Sequence, residues 1–209
     1  MDKRNFLKNL GIGMATVATS KAYAASLRPT PEQTEGPFYR DKNNDLTYVK
    51  GHKQKAKGQE VFIAGRVLDT SGAPIEDCLV DIWQACASGR YAHINDPNGA
   101  ALDPNFQYSG LCITDSQGNY WFKTIIPGAY QATADWMRPP HIHLKASKRG
   151  FREITSQTYF DLPEFKDLNR KDRILQELSK EDQRSVVLRE AKGRNGERVF
   201  PFNIVLNSI

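Results

Sequence analysis

Short apolar runs separated by polar, turn-forming clusters dominate the chain from Val61 onward. The runs Val61 to Leu68, Cys78 to Ala85, Gly110 to Thr114, Asn119 to Ile125, His141 to Ala146, Ile154 to Phe160 and Val199 to Leu206 are rich in Val, Ile, Phe, Tyr, Trp and Thr. Such residues suit a pleated, half-buried surface. Between them, Asp69-Thr70-Ser71-Gly72-Ala73-Pro74, Asp115-Ser116-Gln117-Gly118 and Pro127-Gly128 supply the turn chemistry of antiparallel connections. Seven short strands with these turns predict an all-β domain over residues 61–209, built as an antiparallel β-sandwich.

Two stretches depart from that pattern. Residues 25–60 are rich in Pro, Gly, Gln, Lys and Asp with few apolar positions, and read as an extended N-terminal arm. From Leu162 to Ala191 charge is dense, and Ile174, Leu175, Leu178, Val186 and Val187 have helix-like spacing, with Ser179 as N-cap. This predicts a short helical excursion of one or two helices that decorates the sandwich.

Residues 1–24 have a basic start, a mildly apolar centre from Asn9 to Ser20, and Ala22-Tyr23-Ala24 before Ala25. That three-part layout predicts an export signal cut after Ala24, and hence a periplasmic or extracellular protein. Lys3-Arg4-Asn5-Phe6-Leu7-Lys8 is also similar to a twin-arginine signal, with Lys in place of the first arginine.

Composition narrows the function classes. A chain of 209 residues suits one main domain, and 39% hydrophobic residues argue against disorder. No run approaches the roughly 18 to 20 apolar residues of a membrane span. Residues 1–24 carry three of the five net positive charges, and the one dense basic run, Arg170-Lys171-Asp172-Arg173, is broken by acid, so nucleic acid is not the expected partner. Cys78, Cys86 and Cys112 are an odd number without a Cys-x-x-Cys, and read as small buried residues.

Two of the four histidines form His141-Ile142-His143. On a strand, positions i and i+2 share a face, so both imidazoles can reach one metal, although a pair of pocket histidines has the same spacing. Their company raises the metal reading: Arg138-Pro139-Pro140 just before, Pro127-Gly128-Ala129-Tyr130 upstream, and Trp83-Gln84-Ala85 leading to Ser88-Gly89-Arg90-Tyr91. Two phenolates with two imidazoles favour a hard, oxidised ion such as Fe(III) over zinc. A trivalent ion also lowers a phenol pKa from near ~10 far enough to ionise it. An Fe(II) site of His141, His143 and Asp135 stays open, but leaves both tyrosine motifs without a role.

With these residues the chain resembles the intradiol ring-cleavage dioxygenases, nearest the protocatechuate 3,4-dioxygenase type. The resemblance runs from Thr30-Pro31-Glu32-Gln33-Thr34-Glu35-Gly36-Pro37-Phe38-Tyr39, through Asp81-Ile82-Trp83-Gln84-Ala85 and Gly89-Arg90-Tyr91, to Pro127-Gly128-Ala129-Tyr130 and Arg138-Pro139-Pro140-His141-Ile142-His143. It implies a β-sandwich holding a non-haem Fe(III) on Tyr91, Tyr130, His141 and His143. It implies further that Arg138 faces the substrate ring, that Gln157 lies beside it, and that Thr34, Gly36 and Pro37 approach the substrate from the N-terminal side. His52 and His93 are read as non-ligands, because that set is complete without them, and Trp83 as a core anchor.

The activity the resemblance implies is insertion of both atoms of O2 into a catecholic aromatic, with cleavage between the hydroxylated carbons to a muconate-type dicarboxylic acid. Tyr130 is the tyrosine expected to give way to the diol. Residues 25–59 are too short and too poor in apolar periodicity for the helical dimerisation domain of catechol and hydroxyquinol relatives, which favours a protocatechuate-like substrate. Gln131-Ala132-Thr133-Ala134-Asp135-Trp136, however, departs from the Tyr-Pro-Trp sequence expected of protocatechuate enzymes, leaving the substrate carboxylate pocket open. Self-association, or pairing with a related chain, is expected. The alternatives are a non-catalytic β-sandwich binding module and another mononuclear iron oxygenase.

Overall fold

The computed structural model describes residues 28–33 and 43–209. The expected export signal, residues 1–24, lies outside them. In chain order the strands are β1 (Glu60–Asp69), β2 (Leu79–Trp83), β3 (Ser109–Ile113), β4 (Asn119–Ile125), β5 (Tyr130–Thr133), β6 (Trp136–Arg138), β7 (His141–Ser147) and β8 (Ile154–Phe160). A 3-10 turn at Pro163–Phe165 leads into three short helices, α1 (Lys166–Lys171), α2 (Arg173–Glu177) and α3 (Lys180–Val186). The chain closes with β9 (Val187–Leu188), β10 (Ala191–Lys192), β11 (Arg198–Pro201) and β12 (Ile204–Leu206).

Two five-stranded sheets form the all-β sandwich. One is built on β1, with β4 antiparallel on one edge, β11 and β12 on the other, and β10 beside β11; the second runs β3–β2–β7–β8–β9. The expected strand from 199 to 206 is interrupted at Phe202 and Asn203, yet β11 and β12 keep one register along β1. The Asn203 side-chain oxygen accepts the Arg66 N–H at 3.0 Å, standing in for a backbone carbonyl across the break. These pairings are parallel, as is β8 with β9, because the C-terminal chain reaches them through long connections rather than hairpins. The sheets are therefore mixed rather than wholly antiparallel.

Ile63 on β1, Phe122 on β4, Ile82 on β2, Leu144 on β7 and Phe200 on β11 belong to one buried cluster between the sheets. Each such side chain stabilises the fold by roughly 1.5–3 kcal/mol. Strand alternation then decides where the histidines go. Ile142 and Leu144 join the core, so His141 and His143 stand on the outer face of the second sheet. The antiparallel neighbours place Gln157 across from His143, Tyr159 across from His141, and Trp83 across from His143 on the other side.

That face is roofed. Tyr91 and the hairpin residue Tyr130 pack beside Trp83 there, Leu175 and Val186 of the helical segment pack on Tyr159, and His141 and His143 are only 2% and 4% exposed. Ser179 caps α3 as expected, its hydroxyl accepting the Asp182 N–H at 3.1 Å. The described part of the arm is stitched down: Leu46 is in the core, Thr30 N–H donates to Val205 O at 3.2 Å, and Gln33 N–H to Thr155 O at 2.6 Å. The three cysteines are buried and free, and among the described residues no helix is long and apolar enough to cross a membrane.

Candidate active site

Two glycines bring the two tyrosines together. Gly128 N–H and Gly89 N–H both donate to Cys86 O, at 3.0 and 2.9 Å. A Cβ on Gly128 would lie 2.4 Å from Gly89 N, and one on Gly89 2.4 Å from Ala129 O, so any side chain there would force the backbones apart. Gly89 also has φ +82, in the left-handed region that favours glycine. Each tyrosine follows its glycine by two residues, and their rings meet edge to face with centroids 5.7 Å apart.

The histidines complete the cluster. Ring centroids are 5.0 Å apart for His141 and His143, 5.6 Å for Tyr130 and His141, and 6.2 Å for Tyr91 and His143. Tyr91 Oη is 3.5 Å from His141 Nε2. His141 Nδ1 lies 2.7 Å from Pro139 O, a contact that only a protonated Nδ1 can satisfy, which leaves the lone pair on Nε2. Burial, then the charges of Arg138 and His143, hold the His141 pKa well below its ordinary 6.5, keeping the ring neutral. Trp83 is 1% exposed and stacks on His143 at 5.1 Å and 6°, so the expected core anchor also fixes an imidazole of the cluster.

The two phenols are not equivalent. Tyr91 is 4% exposed, and burial, followed by the neighbouring Tyr130, raises its pKa well above 10. Tyr130 is only partly buried; burial raises its pKa too, against the opposing pull of the Arg138 charge. Neither ionises readily alone, and a buried multivalent cation is the partner that would reverse this.

Beside the rings lies a buried polar network centred on Arg138. Its Nε donates to Asp172 Oδ2 at 2.7 Å, and its Nη2 to Gln157 Oε1 at 2.6 Å and to Tyr159 Oη at 3.3 Å. Tyr159 Oη is also 3.3 Å from Asp172 Oδ1 and from Gln33 Oε1. Gln33 Nε2 reaches back to Gln157 O at 3.1 Å.

The family match agrees with this geometry. A family model described as Dioxygenase matches residues 34–208. The chain belongs to the intradiol ring-cleavage dioxygenase family.

Within that family, 122 residues are 42% identical to the protocatechuate 3,4-dioxygenase beta chain of Burkholderia cepacia, covering 56% of this chain and 52% of that one. Another 141-residue match is 32% identical to catechol 1,2-dioxygenase of Candida albicans, covering 59% and 45%. The chain thus spans about half the length of the curated relatives it matches. The solved dioxygenase domain of a dioxygenase carbohydrate-binding fusion from Streptomyces sp. SirexAA-E superposes with TM-score 0.61 at 25% identity, over 87% of this chain and all of that one. An intradiol ring-cleavage dioxygenase from Tetranychus urticae shares the fold, with TM-score 0.65 at 20% identity over 87% and 95%.

Of the residues singled out in the intradiol dioxygenase sequence, Tyr91, Tyr130, Arg138, His141, His143 and Gln157 converge, while Thr34, Gly36 and Pro37 lie outside the described residues. Asp135 is turned to the surface, where it pairs with Arg173 and Thr133. His52 bonds Asn105, and His93 accepts the Asn95 N–H within its own loop. Sequence reading missed Gln33, Tyr159 and Asp172. Tyr159 had a signal, since it shares a strand face with Gln157; Asp172 had only its place as a cap before a helix.

Proposed function

We propose that the protein is a non-haem Fe(III) intradiol dioxygenase that inserts both atoms of O2 into a catecholic, protocatechuate-like aromatic and opens the ring between the hydroxylated carbons. The observation that carries this reading is the closed ring of Tyr91, Tyr130, His141 and His143, with centroids 5.0 to 6.2 Å apart in a roofed face of the sheet. Two phenol oxygens and two imidazole nitrogens, one with its lone pair freed by Pro139, fit a hard trivalent ion. The surface pairing of Asp135 with Arg173 weighs against the two-histidine, one-carboxylate alternative. Bound by these four residues, Fe(III) would supply Lewis acidity, keeping a diol ionised and drawing charge from its ring.

The chain's own groups divide the remaining work. Tyr91, His141 and His143, each at most 4% exposed, keep water from the enclosed side. Tyr130 Oη, on the less buried side, would be the proton acceptor: held as a phenolate by a bound cation, it would take a proton from an arriving diol, and its raised phenol pKa would then keep that proton. Arg138 carries a fixed planar charge that stabilises negative character developing on the ring. Gln157 orients that guanidinium from β8. On motif position, Thr34, Gly36 and Pro37 are assigned to the substrate.

The 42% identity to a chain named as a protocatechuate dioxygenase beta chain supports a protocatechuate-like substrate and either self-association or pairing with a related chain. Residues 1–24 support export, which N-terminal sequencing of periplasmic protein tests; an intact Met1 would refute it.

The deciding experiment is a visible spectrum of the purified iron-loaded protein, before and after anaerobic addition of protocatechuate or catechol. A broad tyrosinate-to-iron band that shifts with the diol, followed in air by a product heavier by one O2, is expected. An iron-replete but colourless protein would overturn the tyrosine ligation, and recovery of the diol unchanged in air would overturn the activity.

A further inference from the structure

The acid that breaks the basic run Arg170-Lys171-Asp172-Arg173 is not part of a solvated face. Asp172 is fully buried between α1 and α2, while Arg170 and Arg173 beside it are exposed. It caps α2, Oδ1 accepting the Leu175 N–H at 2.9 Å, yet a cap works equally well at the surface, where its charge stays hydrated. Burying a carboxylate is costly unless a charge and hydrogen bonds meet it, and here Arg138 meets it through Nε at 2.7 Å. The next residue reaches the same hairpin in the opposite sense. Arg173 donates to Asp135 Oδ2 at 2.6 Å, and the guanidinium carbons of Arg173 and Arg138 lie 5.4 and 5.2 Å from the Trp136 ring. Two consecutive residues of the helical segment thus pair crosswise with two charges flanking Trp136 on a hairpin that has no other strand partner among the described residues.

We propose that Asp172 is a positioning residue that acts through Arg138, fixing the plane in which the guanidinium faces the substrate ring. The proposal rests on the ring-cleavage reading of the site. A guanidinium is planar, so bonds from Nε to Asp172 and from Nη2 to Gln157 define its plane as well as its place. Gln157 and Tyr159 both meet Nη2, at one end of the fork, and leave its Nε end to Asp172. Asp172 comes from the helical segment that joins β8 to β9, so the helical excursion belongs to the catalytic architecture and is more than decoration.

Asp172→Asn separates the two duties of this side chain. The amide oxygen still accepts the Leu175 N–H, but its NH2 now faces the Arg138 Nε–H, donor against donor. In the iron-loaded enzyme kcat is expected to fall roughly 10- to 100-fold with KM within about threefold, since a misplaced group costs most in the transition state. The substrate-free tyrosinate band stays unchanged. In an Arg138→Gln background, Asp172→Asn adds less than about twofold, because a residue acting through another is silent once that other is gone. In the iron-free protein, the Arg138 Nε–H resonance, assigned by its loss in Arg138→Lys, exchanges with water at least about tenfold faster in Asp172→Asn. If Asp172→Asn does not fold, Asp172→Ser, which also keeps a capping oxygen, takes its place throughout.

A variant with kcat within threefold of a competent wild type, or an equal loss in the Arg138→Gln background, would overturn the proposal. Unchanged Nε–H exchange would do so as well. A wild type that cleaves no diol would instead defeat the ring-cleavage reading, and the exchange measurement would still decide whether Asp172 holds Arg138.

Discussion

His141 and His143 stand on β7, hydrogen-bonded along its length to β2 on one side and β8 on the other, whereas Tyr130 and Arg138 face each other across a hairpin of four and three residues. On the sheet side, every second residue is a core anchor: Ile142 and Leu144 cannot leave the interior without dragging the histidines along. On the hairpin side, Gln131, Ala132 and Thr133 are exposed, and among the described residues the strands pair only with each other. A lone two-stranded hairpin is marginal in water, so its position depends on what its ends touch. Here those contacts are the Gly89–Gly128 approach and the Asp172–Arg138 pair, both at its open end, and the exposed Asp135–Arg173 pair at its turn. One half of the site is held by the hydrophobic core and the other by a few polar and steric contacts, which under the proposed function suits a division between the fixed His141 and His143 and the more adjustable Tyr130 and Arg138.

Substitutions on the two sides should therefore differ in kind. The largest effect is expected from His141→Ala, which removes a nitrogen donor from the rigid half. Losing only the hydrogen-bond partner of a metal-bound histidine typically lowers metal affinity or activity by roughly 10- to 100-fold, so losing the imidazole itself should exceed that and abolish the tyrosinate colour. Iron per chain and the visible band check this, and a coloured, active variant would break the comparison. Tyr130→Phe comes next. It should retain iron and the Tyr91 contribution to the band while lowering kcat about 10²-fold, the scale of a missing general base.

Gly128→Ala is smaller and acts on both stability and the site. Its Cβ would fall 2.4 Å from Gly89 N and 2.5 Å from Ala87 O, backbone atoms that cannot swing aside, so a loss of about 1–3 kcal/mol is expected from denaturant unfolding. The hairpin moves with it, and the tyrosinate band should broaden or shift. The smallest effect is predicted for Arg173→Ala. Its pair with Asp135 is solvent-exposed, with side chains 54% and 74% accessible, and the melting temperature should stay within about 2 °C. A larger fall in kcat for Arg173→Ala than for Asp172→Asn would invert the ranking of the two charge pairs that join the helical segment to the hairpin.

How much was legible in the sequence follows the same division. The seven apolar runs all contain strands, and the His-x-His pair lands on one sheet face, because period-2 alternation is local and strong there. The Gly-x-Tyr motifs were legible as motifs, though not as two glycine backbones in contact. The hairpin β5–β6 was not read, since Gln131-Ala132-Thr133-Ala134-Asp135 holds no large apolar residue to mark a buried face. The parallel seating of β11 and β12 on β1 was equally hidden, because turn residues report only on neighbouring strands.

By itself, the sequence determined an all-β domain, a strand bearing two histidines, and two Gly-x-Tyr motifs in the intradiol dioxygenase pattern. These follow from local rules, where a few residues of pattern suffice. Only the tertiary structure decided that Asp172 meets Arg138 across 34 residues, that Asp135 pairs outward with Arg173, and that Trp83 stacks on His143. The physical reason is that a buried charge or ring is placed by whichever partner desolvates with it, and that partner is chosen by packing in space rather than by spacing along the chain.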